Sequence, residues 1–463
     1  MAQLFKGGTV VTGQEMKQAD ILVDQGIIQA VGTVLDPAGT EDLQIIDVTG
    51  KLIFPGFIDA HTHFALPVSG TVTADDFESG TKAAISGGTT MIIDFATQYE
   101  GETLDQALDN WQQKAGHTCS CDYSFHMAVS DWNETVSANL TSMIRRGVTS
   151  FKLYMTYDQM YLEDKAIYQV LRRLNEVGGI TGVHCENKGL IEALTQAEKK
   201  EGHLGCDAHP RSRPDLVEAE AVGRLLKIAG LAKAPVIVVH LSTGAGLEEI
   251  CHARDHGRQV FVETCPQYLL LDESLYDRPG FQGSRYVISP PLRKKENQEV
   301  LWEAIRTGQI QTVATDHCSF TLGQKDAGRE DFTKIPGGMP GVENRPVLLY
   351  TYGVREGRIT PRQMCRVLSE NAARLYGVYP RKGALQAGSD ADLVVWDPEA
   401  SWEISVDNQV SRCDYSPFEG FQVKGRAEQV YLRGVLAAKD GKVVNEYLGT
   451  YIARGKWMDP GEQ

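Results

Sequence analysis

Five residues of metal-binding type each close an apolar run. His61 and His63 end Phe57-Ile58-Asp59-Ala60-His61-Thr62-His63, and His184 ends Thr181-Gly182-Val183-His184. His240 follows Val236-Ile237-Val238-Val239, and Asp316 follows Val313-Ala314-Thr315. Side chains at i and i+2 of a strand share a face, so His61 and His63 can reach one ion. Asp59 shares that face and is a candidate acceptor for an imidazole N–H. A single histidine at a strand end is ordinarily a hydrogen-bonded core residue. Four histidines and an aspartate in equivalent places point instead to a metal centre. Imidazole nitrogen and carboxylate oxygen suit Zn²⁺, and Mn²⁺, Fe²⁺ and Co²⁺ accept the same donors.

Lys152 lies in Ser150-Phe151-Lys152-Leu153-Tyr154, an otherwise apolar run. A buried, unpaired ammonium is costly and tends to lose its proton. It either pairs with a carboxylate or, as a neutral amine, takes up CO₂ to form a carbamate whose two oxygens bridge a pair of metals. In the second case His61, His63 and Asp316 hold the more buried ion, and His184 and His240 the more exposed one. The carboxylated Lys152 and a hydroxide bridge the two Zn²⁺. Two cations lower the pKa of the shared water towards neutrality, and Asp316 is placed to move its proton to a leaving nitrogen.

These residues need a scaffold that gathers strand ends. Eight apolar strand candidates follow one another: Phe57–His61, Thr89–Phe95, Tyr123–Val129, Val148–Tyr154, Ile180–Cys185, Val236–Leu241, Val260–Glu263 and Thr312–Asp316. Helical stretches such as Ala166–Val177, Leu216–Ala229 and Gln298–Thr307 fall between them. The pattern predicts an α/β fold, a (β/α)₈ TIM-type barrel with the site at its C-terminal mouth. A doubly wound open sheet is the structural rival. No GxGxxG follows a strand, so dinucleotide binding is unsupported. Residues 1–54 read as short antiparallel strands, and a similar texture returns over 380–446. These predict a small β-sandwich domain built from both chain ends around a barrel at 55–379. Within the second part, Ala437 to Val444 reads as an exposed turn. The tail 447–463 carries Tyr451, Ile452 and Trp457 among charges and packs on a neighbouring subunit or frays.

The chain has 463 residues, and 46 basic against 61 acidic side chains leave a formal charge of −15. That balance opposes a nucleic-acid footprint. No run approaches a membrane span and no signal segment opens the chain, so a cytoplasmic location is expected. Nine irregularly spaced cysteines read as reduced thiols. Cys119-Ser120-Cys121 lacks the spacing and second pair of a zinc site.

The motifs together resemble the cyclic amidohydrolases, in particular the dihydropyrimidinase and hydantoinase group. The resemblance rests on residues 55–63, on Phe151-Lys152-Leu153-Tyr154-Met155-Thr156-Tyr157 and on Val183-His184-Cys185-Glu186-Asn187. Glu263-Thr264-Cys265-Pro266-Gln267-Tyr268-Leu269, Ser289-Pro290-Pro291-Leu292-Arg293, Thr315-Asp316-His317 and Pro340-Gly341-Val342-Glu343-Asn344-Arg345 extend it. It implies metal roles for His61, His63, Lys152, His184, His240 and Asp316. It further implies that Tyr157 donates to an oxyanion, the alternative being a packing aromatic, and that Ser289 holds the ring amide through its backbone. Many members carry Asn where this chain has Gly337, which predicts a looser loop. A small cyclic amide as substrate and a homotetramer are also implied.

Dihydroorotase is a rival, but it usually has an Arg soon after the second histidine. Here Phe64-Ala65-Leu66 follows, an apolar run suited to a neutral ring, with Phe64 expected to line the substrate. The same run counts against allantoinase. A non-catalytic scaffold relative would have lost ligands, and all six positions are filled.

Overall fold

Each of the eight apolar runs forms a strand of one parallel sheet in the computed structural model, which describes residues 2–35 and 42–461. We number them β1 (Phe57–Thr62), β2 (Thr89–Thr97), β3 (Asp122–Ala128), β4 (Ser150–Tyr154), β5 (Ile180–His184), β6 (Val236–Val238), β7 (Val260–Thr264) and β8 (Thr312–Val313). They pair in chain order. A parallel bridge between Thr62 and His317 joins the first staves to the last. β1, β2, β3 and β5 are buried along their whole length, as expected for strands covered on both faces. The expected helices are present at Asp164–Val177, Asp215–Ala232 and Glu296–Arg306.

Arg345 fastens the seam between the first and last strands. Fully buried, it donates from Nη1 to the carbonyls of Ile58 in β1 and Val313 in β8, and from Nη2 to Thr89 Oγ1 in β2. A guanidinium carries its donors in a fixed fork, and three strands meet on it here.

Both chain ends enter a second, nine-stranded sheet. Leu393–Glu403 pairs antiparallel with Leu52–Pro55, the strand that leads directly into β1. This sheet is mixed rather than antiparallel throughout, because Ala2–Val11 pairs in parallel with Leu43–Asp47 and Leu52–Pro55. Residues 36–41 of the predicted N-terminal β segment and the last two of the tail lie outside the described residues. The exposed turn expected over Ala437 to Val444 is a hairpin, with only Asp440-Gly441 turning and Ala437 and Ala438 buried. Alternation near charged residues concealed that one face of this segment meets the core.

Over its described residues the tail packs on its own barrel rather than fraying. Ile452 N–H donates to Tyr123 O, Tyr451 stacks on Phe125, and buried Arg454 donates to Ser124 and Ser150 at the N-terminal ends of β3 and β4. The site therefore sits at the opposite end of the barrel from the tail. Among the described residues no helix is long and apolar enough to cross a membrane. All nine cysteines are free thiols, eight of them buried.

Candidate metal centre

The strand ends converge as a metal site requires. His61 Nε2 and His63 Nε2 lie 3.2 and 3.1 Å from the same oxygen, Asp316 Oδ1. Ligand atoms of His61, His240 and Asp316 all fall within 4.8 Å of one another. The His184 and His240 rings are 4.6 Å apart, and the His61 and His240 rings 5.4 Å. Asp316 and His240 were expected to end strands. They stand just beyond β8 and β6, with φ of 54° and 40°. Left-handed backbone at a non-glycine residue is uncommon and needs support from its surroundings. Tyr157 is a third case at 69°.

Lys152 is 1% exposed, and no described carboxylate forms an ion pair with it. Its Nζ lies 5.1 and 5.2 Å from the rings of Phe95 and Tyr154. Strand register sets it beside Ala128 and Gly182, two residues with little side chain. Burial draws its pKa down to about 8 even though Asp316 and Glu263 oppose the shift. The carboxylate-paired alternative therefore has no partner among the described residues, and the lowered pKa gives a larger share of the neutral amine that a carbamate needs.

Protonation states fit a cation as well. Burial, helped by the charge of Lys152, pushes His61 well below its ordinary value, and burial does the same for His240. Neutral imidazoles are the form that ligates metal. His240 Nδ1 is buried with no hydrogen-bond partner among the described residues, an orphaned polar atom of the kind an ion satisfies. Burial would raise the Asp316 carboxyl, but the bond and charge of His63 outweigh it and hold the group below the usual range.

Two carboxylates orient these histidines, and sequence reasoning gave them no role. Glu263, at the end of β7, sits 2.6 Å from His61 Nδ1 and leaves Nε2 aimed at Asp316. Glu186 sits 2.7 Å from His184 Nε2 and also accepts from Arg213 Nη1 at 2.6 Å. Burial would raise Glu186, but Arg213 and His184 hold it ionised, so it only accepts. His184 Nε2 must then carry the proton, and Nδ1 is the nitrogen with a free lone pair. A lone acid closing an apolar strand, as in Val260-Phe261-Val262-Glu263, was the signal available.

Asp59, the expected imidazole partner, does something else. It accepts from Thr315 Oγ1 at 2.7 Å and from the Thr315 and His61 amides, tying β1 to the segment that carries Asp316. Phe64 is likewise not brought to the cleft. Its ring is fully buried against Phe77 and His317, because Asp94 accepts its amide and turns the chain inward after His63.

Tyr157, Ser289 and Gly337 do meet. The Tyr157 ring lies 5.0 Å from that of His184, and the Ser289 side chain is among the polar groups beside its phenol. A Cβ added at Gly337 would find only Ser289 Oγ, at 3.8 Å. The residues that follow Gly337 are tied to neighbouring segments by backbone hydrogen bonds. Gly338 N–H donates to Val287 O, and Cys318 N–H to Met339 O, on the residues after Gly337.

The model of the amidohydrolase family matches residues 52–444. A D-hydantoinase of Geobacillus stearothermophilus is 43% identical over 99% of this chain and 97% of its own. A D-phenylhydantoinase of Escherichia coli strain SE11 is 40% identical over 99% of this chain and 100% of its own. The crystal structure of a dihydropyrimidinase from Brevibacillus agri NCHU1002 superposes with a TM-score of 0.96 at 42% identity, covering 99% of both chains. With matches of this extent at both levels, the chain belongs to the amidohydrolase family, in its hydantoinase and dihydropyrimidinase group.

Proposed function

We propose that this protein opens the ring of 5-substituted hydantoins and dihydropyrimidines by hydrolysis, giving N-carbamoyl α- or β-amino acids. The observation that carries the reading is the convergence of His61 and His63 on Asp316 Oδ1 beside a buried lysine with which no described carboxylate pairs. The names of the D-hydantoinase and dihydropyrimidinase relatives support the substrate class.

His61, His63, carboxylated Lys152, His184, His240 and Asp316 would hold two Zn²⁺, which when bound acidify a water and polarise the ring carbonyl. Asp316 is ionised and serves as the base. Both imidazole contacts fall on Oδ1, so we assign Oδ2 to take the proton of the attacking water and return it to the ring nitrogen as the C–N bond breaks. Burial pushes the Tyr157 phenol up, so it keeps its proton and donates to the oxygen that gains charge in the tetrahedral intermediate. The backbones of Ser289 and Gly337, which lie close together, would grip the ring amide.

The free thiols support a reducing, cytoplasmic setting, and a homotetramer rests on the family resemblance.

The test is ring opening of dihydrouracil and of D- and L-5-phenylhydantoin by protein loaded with zinc in bicarbonate. Turnover of any of these is the expected result. Two bound zinc ions per chain with none of the rings opened would discard the substrate assignment.

A further inference from the structure

A second buried lysine, Lys325, stands outside the metal centre. It ends a short helix, Leu322–Lys325, and is wholly inaccessible to solvent. Nζ donates to Pro336 O at 2.9 Å and to Val287 O at 3.2 Å. No described carboxylate pairs with it, and the titratable groups around it are the thiols of Cys413, Cys318 and Cys206, which burial keeps protonated and uncharged. Burying an amine against two carbonyls and no counter-ion costs stability relative to an apolar side chain of the same shape. Packing alone does not account for such a residue.

Its two acceptors are informative. Pro336 immediately precedes Gly337, and Val287 lies two residues before Ser289. Val287 O also accepts Gly338 N–H, so both loops and the lysine meet at one carbonyl. The neighbouring Gln324 donates to Thr71 Oγ1 and Val72 O, in the hairpin that follows His63. One short helix thereby holds three segments around the mouth.

We infer that Lys325 is a positioning residue for substrate: it staples the Ser289 and Gly337 loops at the spacing that grips the ring, without touching substrate or metal. The inference rests on the ring-opening reading of this cleft. Lys325→Met keeps an unbranched side chain of similar bulk, one atom shorter, and removes its donors. The zinc-loaded variant is expected to show KM raised roughly tenfold with kcat and zinc content near wild type, the pattern of lost ground-state binding.

Hydrogen exchange tests the staple without any substrate. Amides at 287–289 and 335–339 should exchange roughly tenfold faster in Lys325→Met, with the barrel strands unchanged. Unchanged exchange in these loops, or unchanged KM, overturns the proposal. If the wild type opened no ring while the variant still loosened the loops, the substrate reading would fall and the staple would stand. Should Lys325→Met not fold, Lys325→Gln decides, because its shorter chain cannot reach both carbonyls. It should raise KM at least threefold, and a wild-type KM would overturn the inference.

Discussion

Glu186 Oε2 sits 2.7 Å from His184 Nε2 and accepts a second bond from Arg213 at 2.6 Å, so one ionised carboxylate settles which nitrogen of His184 faces the centre of the barrel. The arrangement fixes the tautomer before any ion arrives. A ligand already turned and deprotonated at the right atom loses less freedom on binding, which is how outer partners strengthen a metal site.

Glu186→Gln keeps the shape but can present an N–H to His184 and release the imidazole to the other tautomer. Metal affinity should fall by about 10–100-fold. Chelator competition measures this directly, and wild-type affinity would reduce Glu186 to a partner of Arg213 alone.

Lys152→Ala removes the buried amine proposed to carry the bridging carbamate. Both metal content and activity should be lost, as read by elemental analysis and ring-opening assays. Full occupancy with full activity would eliminate the carbamate.

Tyr157→Phe should retain both metals, since the phenol is not among the six expected ligands. Loss of one donor to a developing oxyanion lowers kcat by about 10²–10³-fold. An unaltered kcat would assign the ring to packing on His184.

The depressed pKa of Lys325, about 7, has a consequence for stability that the variant exposes. Between that value and the ordinary lysine pKa of about 10.4 the unfolded chain binds a proton that the folded chain does not. Stability conferred by this site therefore rises with pH across that window, by up to about 1.4 kcal/mol per unit. Below the folded pKa both states are charged and the full cost of burial is present. Urea midpoints of wild type and Lys325→Met at pH 7 and pH 9 should diverge in favour of the wild type at the higher pH. Parallel shifts would mean that the amine titrates normally.

Much of the site was legible because its pattern is local. A polar residue closing an apolar run marks a strand end at the mouth of a barrel, as for His61 and His184, or a position just beyond one, as for His240 and Asp316; Lys152 is marked by its placement within a strand. Tyr157 and Ser289 were reached only through resemblance, since a tyrosine or serine in a loop carries no such mark. Phe64 misled for a related reason: an apolar residue beside a ligand fits a substrate wall and a core equally well until the backbone direction is known.

The sequence by itself determined the eight staves, their order and the residues that meet at their ends, because alternation of buried strand and amphipathic helix is written in short-range periodicity. Only the tertiary structure decided the partners: Glu186 and Glu263 against the histidines, Asp59 against Thr315 rather than an imidazole, Arg345 across the seam and Lys325 between two loops. Glu186 reaches a residue only two positions away and Lys325 one eleven away, but the other bonds join residues tens to hundreds of positions apart and depend on how the sheet closes. A single sequence records which groups can donate and accept, and the closure of the barrel selects among them.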